Sequence, residues 1–156
     1  MTIEQQTSPS QNDKIMAALA HISAILPFMG VIAPIIIWVT QKDKSEYVAF
    51  QALQAVAYQL LMILAWFIGM GCYMLSFFTM FLAIPFAGSN GDVDPSVAPL
   101  FALGFAIPFI IFGAIFIGGA LFILYGLIGA IQVFQGKDFR YIVVGKQLAN
   151  YLQKNK

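Results

Sequence analysis

The one histidine of the chain, His21, stands in an apolar stretch, LAHISAILPFMGVIAPIIIW (residues 19–38), that also holds Pro27 and Pro34. An imidazole can take up a proton near neutral pH or ligate a metal. A metal site needs further ligands, and the apolar stretches supply neither a cysteine cluster nor a carboxylate. The expected role of His21 is therefore that of a hydrogen-bonded residue, tied to a neighbouring helix or to headgroups. The alternative is a proton-accepting group, because an ionisable residue inside a membrane is a functional hypothesis by default. A second group has a clearer pattern. Tyr47, Gln51, Gln54 and Tyr58 are spaced by one helical turn each and share one helix face. Such a face either lines an aqueous cavity or ties helices together through amide hydrogen bonds, each worth roughly 0.6–2 kcal/mol in membranes. The packing role is expected. The candidate polar contacts are then His21, Gln51, Gln54, Tyr58 and Gln59.

Catalytic constellations are missing. The sequence has no HExxH, no GxSxG and no phosphate-binding loop, and no second histidine to serve a nucleophile. The single cysteine, Cys72, lies in an apolar stretch and can form no intrachain disulfide. No catalytic residue, cofactor or metal ion is expected, and the chain reads as no enzyme. The net charge of +1, without a basic patch, excludes a nucleic-acid partner.

The elements that must hold these residues follow from where charge is absent. Of 156 residues 60% are hydrophobic and only 10% charged, against about 25% charged in soluble domains. Mean hydropathy is +0.84. A soluble chain this short could not hide so much apolar surface. No charge falls within residues 15–41, 47–91 or 95–135, and about 20 apolar residues suffice to cross a bilayer. The fold class expected is all-α: a polytopic helical membrane protein with three long apolar blocks, at about 15–40, 47–86 and 100–134, read as three to four membrane helices. A disordered polar tail (residues 1–13) precedes a single transmembrane domain (14–153), and no cleavable signal peptide is expected.

Within block one, Asp13 suits the helix cap. Pro27 and Pro34 are compatible with a kinked single span, the simplest reading, or with a re-entrant pair of half-helices turning at PFMG. Block two is about twice the hydrocarbon thickness, so its polar first part must lie at the interface or outside the core. Pro108 is expected to kink block three or mark its entry, and Gly136 to stop it. The tail that follows has Tyr141, Val144, Leu148 and Tyr151 on one face and reads as an amphipathic interfacial helix over 141–153. Small residues recur in block three, with Ala114 and Gly118, and Gly126 and Ala130, at four-residue spacing. They support close helix packing or self-association.

Basic residues set orientation. Lys42 and Lys44 lie in the first loop, and Lys137, Arg140, Lys146, Lys154 and Lys156 in the C-terminal segment; the second loop has none. The C-terminus is expected in the cytoplasm of a prokaryotic cell, with the lipid bilayer as the partner and a further membrane protein or a second copy as an added one. The side of the N-terminus depends on whether block one spans.

The segments ALAHISAILP, APIIIWVTQKDKSEYVAFQALQAVAYQL and YGLIGAIQVFQGKDFRY together resemble a family of small prokaryotic membrane proteins of unknown function, distantly related to the twenty-kilodalton component of the chloroplast inner-envelope import channel. The matching residues are Ala20-His21, Pro34 with Trp38, Lys42-Asp43-Lys44, Gln54-Ala55 with Gln59, and Gly136 through Tyr141. Ala57-Tyr58 departs from the family's usual Asn-Phe, and the second loop and block three are longer than its compact form. The resemblance implies a helical membrane protein without known enzymatic activity. The function expected is a non-enzymatic structural, interaction or accessory subunit of the cytoplasmic membrane. The alternative is a conduit or translocation component for peptides or small solutes, lined by His21, Ser23, Gln51, Gln54, Gln59, Ser76 and Thr79.

Overall fold

The structure, a computed structural model, describes residues 8–86 and 92–154, save the side chains of residues 83, 86 and 151–153. The expected disordered tail falls largely on residues 1–7, and part of the second loop on residues 87–91; both lie outside the described residues. Five α-helices run through the rest: α1 (Gln11–Ile22), α2 (Ile32–Gln41), α3 (Glu46–Ala83), α4 (Ala98–Phe134) and α5 (Gly145–Lys154). Short 3-10 turns occupy Ser23–Ile25, Met29–Val31 and Ile84–Phe86. The chain forms two compact units. One holds the chain up to Ile63 and from Phe122 onward; the other is Leu64–Leu121.

The first helix begins earlier than expected. Its cap is Ser10, whose hydroxyl accepts from the Asp13 backbone N–H at 3.1 Å, while the Asp13 carboxylate accepts from the Ser10 N–H at 3.0 Å. Asp13 thus closes a capping box from the third helical position. The two Ser10 hydrogen bonds hold its carboxyl below the usual carboxylate range, the side-chain one most of all.

Block one does not form a kinked span. The chain leaves α1 through the Ser23–Ile25 turn, reverses at Phe28, whose φ of 64° lies in the left-handed region, and enters α2 through Met29–Val31. The prolines explain why. Pro27 sits in the reversal, and Pro34 is the third residue of α2, where the backbone N–H has no intrahelical acceptor and its loss is harmless. Pro34 therefore starts a helix rather than bending one. Helices of 12 and 10 residues rise about 18 and 15 Å, short of the roughly 30 Å of bilayer hydrocarbon. Two helices among the described residues, α3 and α4, are long and apolar enough to cross a membrane, so the expected three to four membrane helices become two.

Pro108 does not mark the entry of α4, which begins at Ala98 and runs through it. Its missing N–H leaves the Gly104 carbonyl without its helical donor. The Thr79 hydroxyl of α3 lies 3.1 Å from that carbonyl and 2.5 Å from the Ser76 carbonyl, and shares its one proton between them. This is how a proline is carried inside an apolar helix, with a neighbouring hydroxyl meeting the freed group. Gly136, as expected, stops α4. Its φ is 79°, and the Lys137 N–H reaches the Gln132 carbonyl while the Gly136 N–H reaches Val133, the paired bonds of a Schellman stop.

The distribution of side chains is the reverse of a soluble protein's. Buried positions are held by Ala17, Ala20, Ala52, Ala55, Ala130 and Tyr58, with His21, Gln51 and Gln54 fully enclosed. Phe109 and Leu82 are more than two-thirds exposed, and Ile, Leu and Phe populate the surface of every long helix. Small and polar residues at helix contacts with large apolar ones outward is the arrangement of a chain solvated by lipid.

Glycines test how close the approach is. A Cβ on Gly30 would collide with the Ser23 carbonyl oxygen, whereas one on Gly113 would meet nothing within 4 Å. Gly30→Ala is expected to lower stability in detergent by about 1–3 kcal/mol or abolish accumulation, and Gly113→Ala to stay within about 0.5 kcal/mol of wild type. Thermal melts of the two purified variants check the contrast.

Candidate functional site

The polar residues of the first unit converge on a piece of backbone. Between α4 and α5 the chain runs without regular structure from Lys137 to Tyr141, and Phe139 and Tyr141 turn inward to become buried. Backbone buried there has no strand or helix partner of its own, and every such group needs one. Gln54, from α3, supplies both. Its Oε1 accepts from the Tyr141 N–H at 2.7 Å and its Nε2 donates to the Phe139 carbonyl at 3.0 Å. The side-chain amide pairs with this backbone much as a strand neighbour would. Gln51, one turn earlier, donates its Nε2 to the same carbonyl at 3.2 Å.

These anchors fix the rest of the network. With Gln54 Oε1 committed to a backbone donor, its Nε2 also donates to Gln51 Oε1 at 3.2 Å. Gln51 Oε1 is thereby an acceptor, and the second atom facing it is His21 Nε2 at 3.1 Å. The imidazole must carry its proton on Nε2. Its other nitrogen, Nδ1, is then an acceptor and takes the Tyr141 hydroxyl proton at 2.9 Å. One backbone N–H thus determines the tautomer of a histidine on another element. No buried side-chain nitrogen or oxygen among the described residues lacks a partner.

Aromatic rings close the site. Tyr58 stacks on Tyr141 with centroids 3.8 Å apart and planes 4° from parallel, and its hydroxyl donates to the Phe122 carbonyl at 2.8 Å. Phe139 meets the His21 ring edge-on at 5.8 Å. Gly129 lies under Phe139 and Gly126 under Ala24, at separations that leave no room for a Cβ, so the small residues of α4 let these groups approach. Gly118 and Gly119 face open space and take no part.

All five expected polar residues are therefore engaged. His21, Gln51 and Gln54 share one network, and Tyr58 joins it by stacking. Gln59 stands apart from it, donating to the Ser23 hydroxyl at 2.9 Å beside the α1–α2 reversal. Tyr47 reaches the Val133 and Lys137 carbonyls at 3.4 Å. In the second unit Ser76 and Thr79 bond to helix carbonyls, and the apolar groove there, about 320 Å³, has Thr79 as its one hydroxyl-bearing wall residue. The residue that sequence reasoning misses is Tyr141. Its spacing with Val144 and Leu148 assigns it to an amphipathic helix from residue 141, but α5 begins at Gly145. The Gly136–Tyr141 junction motif is the one signal that marks it.

The chemistry of the site is that of a neutral, buried knot. Burial pushes the His21 imidazole down to about 4, against which the Gln51 hydrogen bond acts only in part. Burial likewise pushes the Tyr141 phenol up, with Tyr58 and Tyr125 adding to it. Neither nitrogen of His21 is free to take a proton from a substrate, and no carboxylate is among its hydrogen-bond partners. Among the described residues no three His, Cys, Asp or Glu side chains cluster as a metal site would require.

Fold and site together define an all-helical protein with two candidate membrane spans, fastened at one unit by a buried polar knot. Comparison with known families places it further: the chain belongs to the magnetosome magnetite crystal formation protein family, whose profile matches residues 12–148. No curated protein and no solved structure matches it. The match supports a defined family and lends no support to kinship with the chloroplast import component.

Two outcomes are expected. Gln54→Leu strips the Tyr141 N–H of its acceptor and should cost about 1–3 kcal/mol, measured by chemical unfolding in detergent. Because His21 is held neutral, with its pKa below the 6.5 of an unperturbed imidazole, the unfolded chain binds the proton first. Stability should be level above pH 6.5 and fall as pH drops toward 4, by about 3 kcal/mol at 1.36 kcal/mol per unit. His21→Leu should lose this slope, and a slope retained by the variant rejects the assignment.

Proposed function

We propose that this chain is a small, non-enzymatic accessory protein of a magnetosome membrane, held there by α3 and α4 with its C-terminus in the cytoplasm, and that it contributes to magnetite crystal formation. The observation that carries the membrane role is the inverted burial: amides, a histidine and alanines enclosed, phenylalanines and leucines outward. The family match over residues 12–148 carries the process. The Lys and Arg asymmetry, with five cations after α4 and none in the second loop, supports the orientation.

The geometry favours a scaffold over a conduit. A conduit needs polar groups facing a wettable path. Here His21, Gln51, Gln54 and Gln59 direct their donors and acceptors to each other, to a serine or tyrosine hydroxyl or to backbone. Residues that work by holding helices together leave function to the surfaces they shape.

Deletion of the gene in a magnetosome-forming bacterium that carries it is expected to alter the size or number of magnetite crystals seen by electron microscopy, with wild-type sequence restoring them. Unchanged crystals reject the proposed process. Restoration by Gln51→Leu should fail only to the extent that the protein fails to accumulate on immunoblots. A variant that accumulates normally yet restores nothing would favour a direct polar role over packing.

A further inference from the structure

The α1–α2 hairpin has a feature that neither its packing nor the polar knot uses. Its inner face, Ala17, Ala20, His21 and Ala24, is buried. Its outer face exposes Leu19, Ile22, Leu26, Met29, Ile36 and Val39, with Met29 and Leu26 at the reversal among the most exposed, at 67% and 60%. No charge occurs between Lys14 and Lys42. At about 18 and 15 Å, each arm is close to half the roughly 30 Å hydrocarbon thickness.

We propose that this hairpin is a re-entrant wedge occupying one leaflet of a bilayer, entering and leaving on the same face and reaching about mid-depth with Leu26 and Met29. The proposal rests on the membrane reading above and deepens it by naming the partner surface as a single leaflet. Three further observations carry it. First, the reversal is built for immersion in hydrocarbon, where each unmet backbone group is costly. The Leu26 N–H reaches the Ser23 carbonyl at 3.0 Å, Met29 reaches Pro27 at 2.7 Å and Gly30 reaches Leu26 at 2.8 Å, while Pro27 has no N–H to satisfy. Gly30 lies so close against Ser23 that no side chain fits, which fixes the reversal as a tight structure rather than a distorted helix. Second, the open ends are wet. Gln11, Asn12, Asp43 and Lys44 are exposed, and Lys42 lies over the Trp38 ring at 5.9 Å, a pairing suited to the headgroup level. Third, the entry end is tied to that same level on α4: the Lys14 side chain packs against Gly136 at the helix stop, whereas Ala24, ten residues on, packs against Gly126. The wedge therefore descends along α4 by about 15 Å.

A body inserted in one leaflet expands that leaflet alone, so the protein should favour membranes bent with the hairpin's leaflet on the convex side.

The test uses the full chain with Cys72→Ser and single cysteines at Asn12→Cys, Asp43→Cys and Met29→Cys, treated with a membrane-impermeant maleimide in right-side-out and inverted vesicles. Asn12→Cys and Asp43→Cys are expected to label from the same side, and Met29→Cys from neither until detergent is added. Labelling of the first two from opposite sides shows a through-span and overturns the proposal. Labelling of Met29→Cys from the far side overturns the half-depth placement. Labelling of all three from either side, with release of the protein by alkaline carbonate, would instead reject the membrane reading itself. For the consequence, wild-type chain is reconstituted into small sonicated and large extruded vesicles of one phosphatidylcholine–phosphatidylglycerol composition. Density per lipid should be about twofold higher or more in the small vesicles, and should fall when Met29 and Leu26 are both replaced by serine. Equal densities overturn the curvature preference.

Discussion

Everything in the first unit depends on one demand: the Phe139 carbonyl and the Tyr141 N–H are buried in a stretch with no regular structure, and something must bond to them. Gln54 does so with both ends of its amide, and Gln51 adds a second donor. In hydrocarbon or dry protein an unmet backbone group costs several kcal/mol, so these glutamines are constrained more tightly than any apolar residue near them. From that demand the orientation of two amides, the tautomer of His21 and the direction of the Tyr141 hydroxyl follow in sequence. The histidine is the last member of the network, fixed by its neighbours rather than the source of their arrangement.

The same requirement governs the prolines. Pro34 and Pro108 each lack a donor, and each is placed where the loss is met. Pro34 lies in a first turn that has no need of its N–H. Pro108 frees Gly104, which Thr79 answers from α3. Small residues serve the other half of the problem, since hydrogen bonds about 3 Å long between helices require backbones that approach closely. Gly126 and Gly129 sit where Ala24 and Phe139 press against α4. Polar groups and glycines are thus two parts of one packing device.

How much of this is legible in the sequence depends on the range of each interaction. Gln51, Gln54 and Tyr58 are legible because helical spacing is a local property, and the spacing alone puts them on a shared face. The apolar blocks mark α3 and α4 to within about three residues at each end, as hydropathy does over long windows. Gly136 is legible because a helix stop is decided by one residue's φ. What stays hidden is what lies far away in the chain. His21 finds Tyr141 across 120 residues, and nothing in local pattern couples them. Tyr141 itself mimics helical spacing with Val144 and Leu148, and tertiary burial overrides that spacing. Block one reads most simply as a kinked span because periodicity cannot distinguish a proline that bends a helix from one that opens it. Similarly, spacing marks Gly118 and Gly126 alike, and packing uses one of them.

A site so fully satisfied constrains what the protein can do. Proton transfer, ligation and conduction each need a polar group that is free at the moment of action, and freeing His21 or Gln54 here would strip a neighbour of its partner. Opening His21 would leave the Tyr141 hydroxyl without its acceptor and Gln51 Oε1 with Gln54 alone, and moving Gln54 would strand the Tyr141 N–H. The cost of each step is of the order of a lost buried hydrogen bond, about 1–3 kcal/mol, and the losses are linked because the groups form one chain. The knot is suited to holding α1, α3 and the Phe139–Tyr141 junction in one arrangement. What that arrangement presents outward is apolar: the faces of the long helices and of the hairpin.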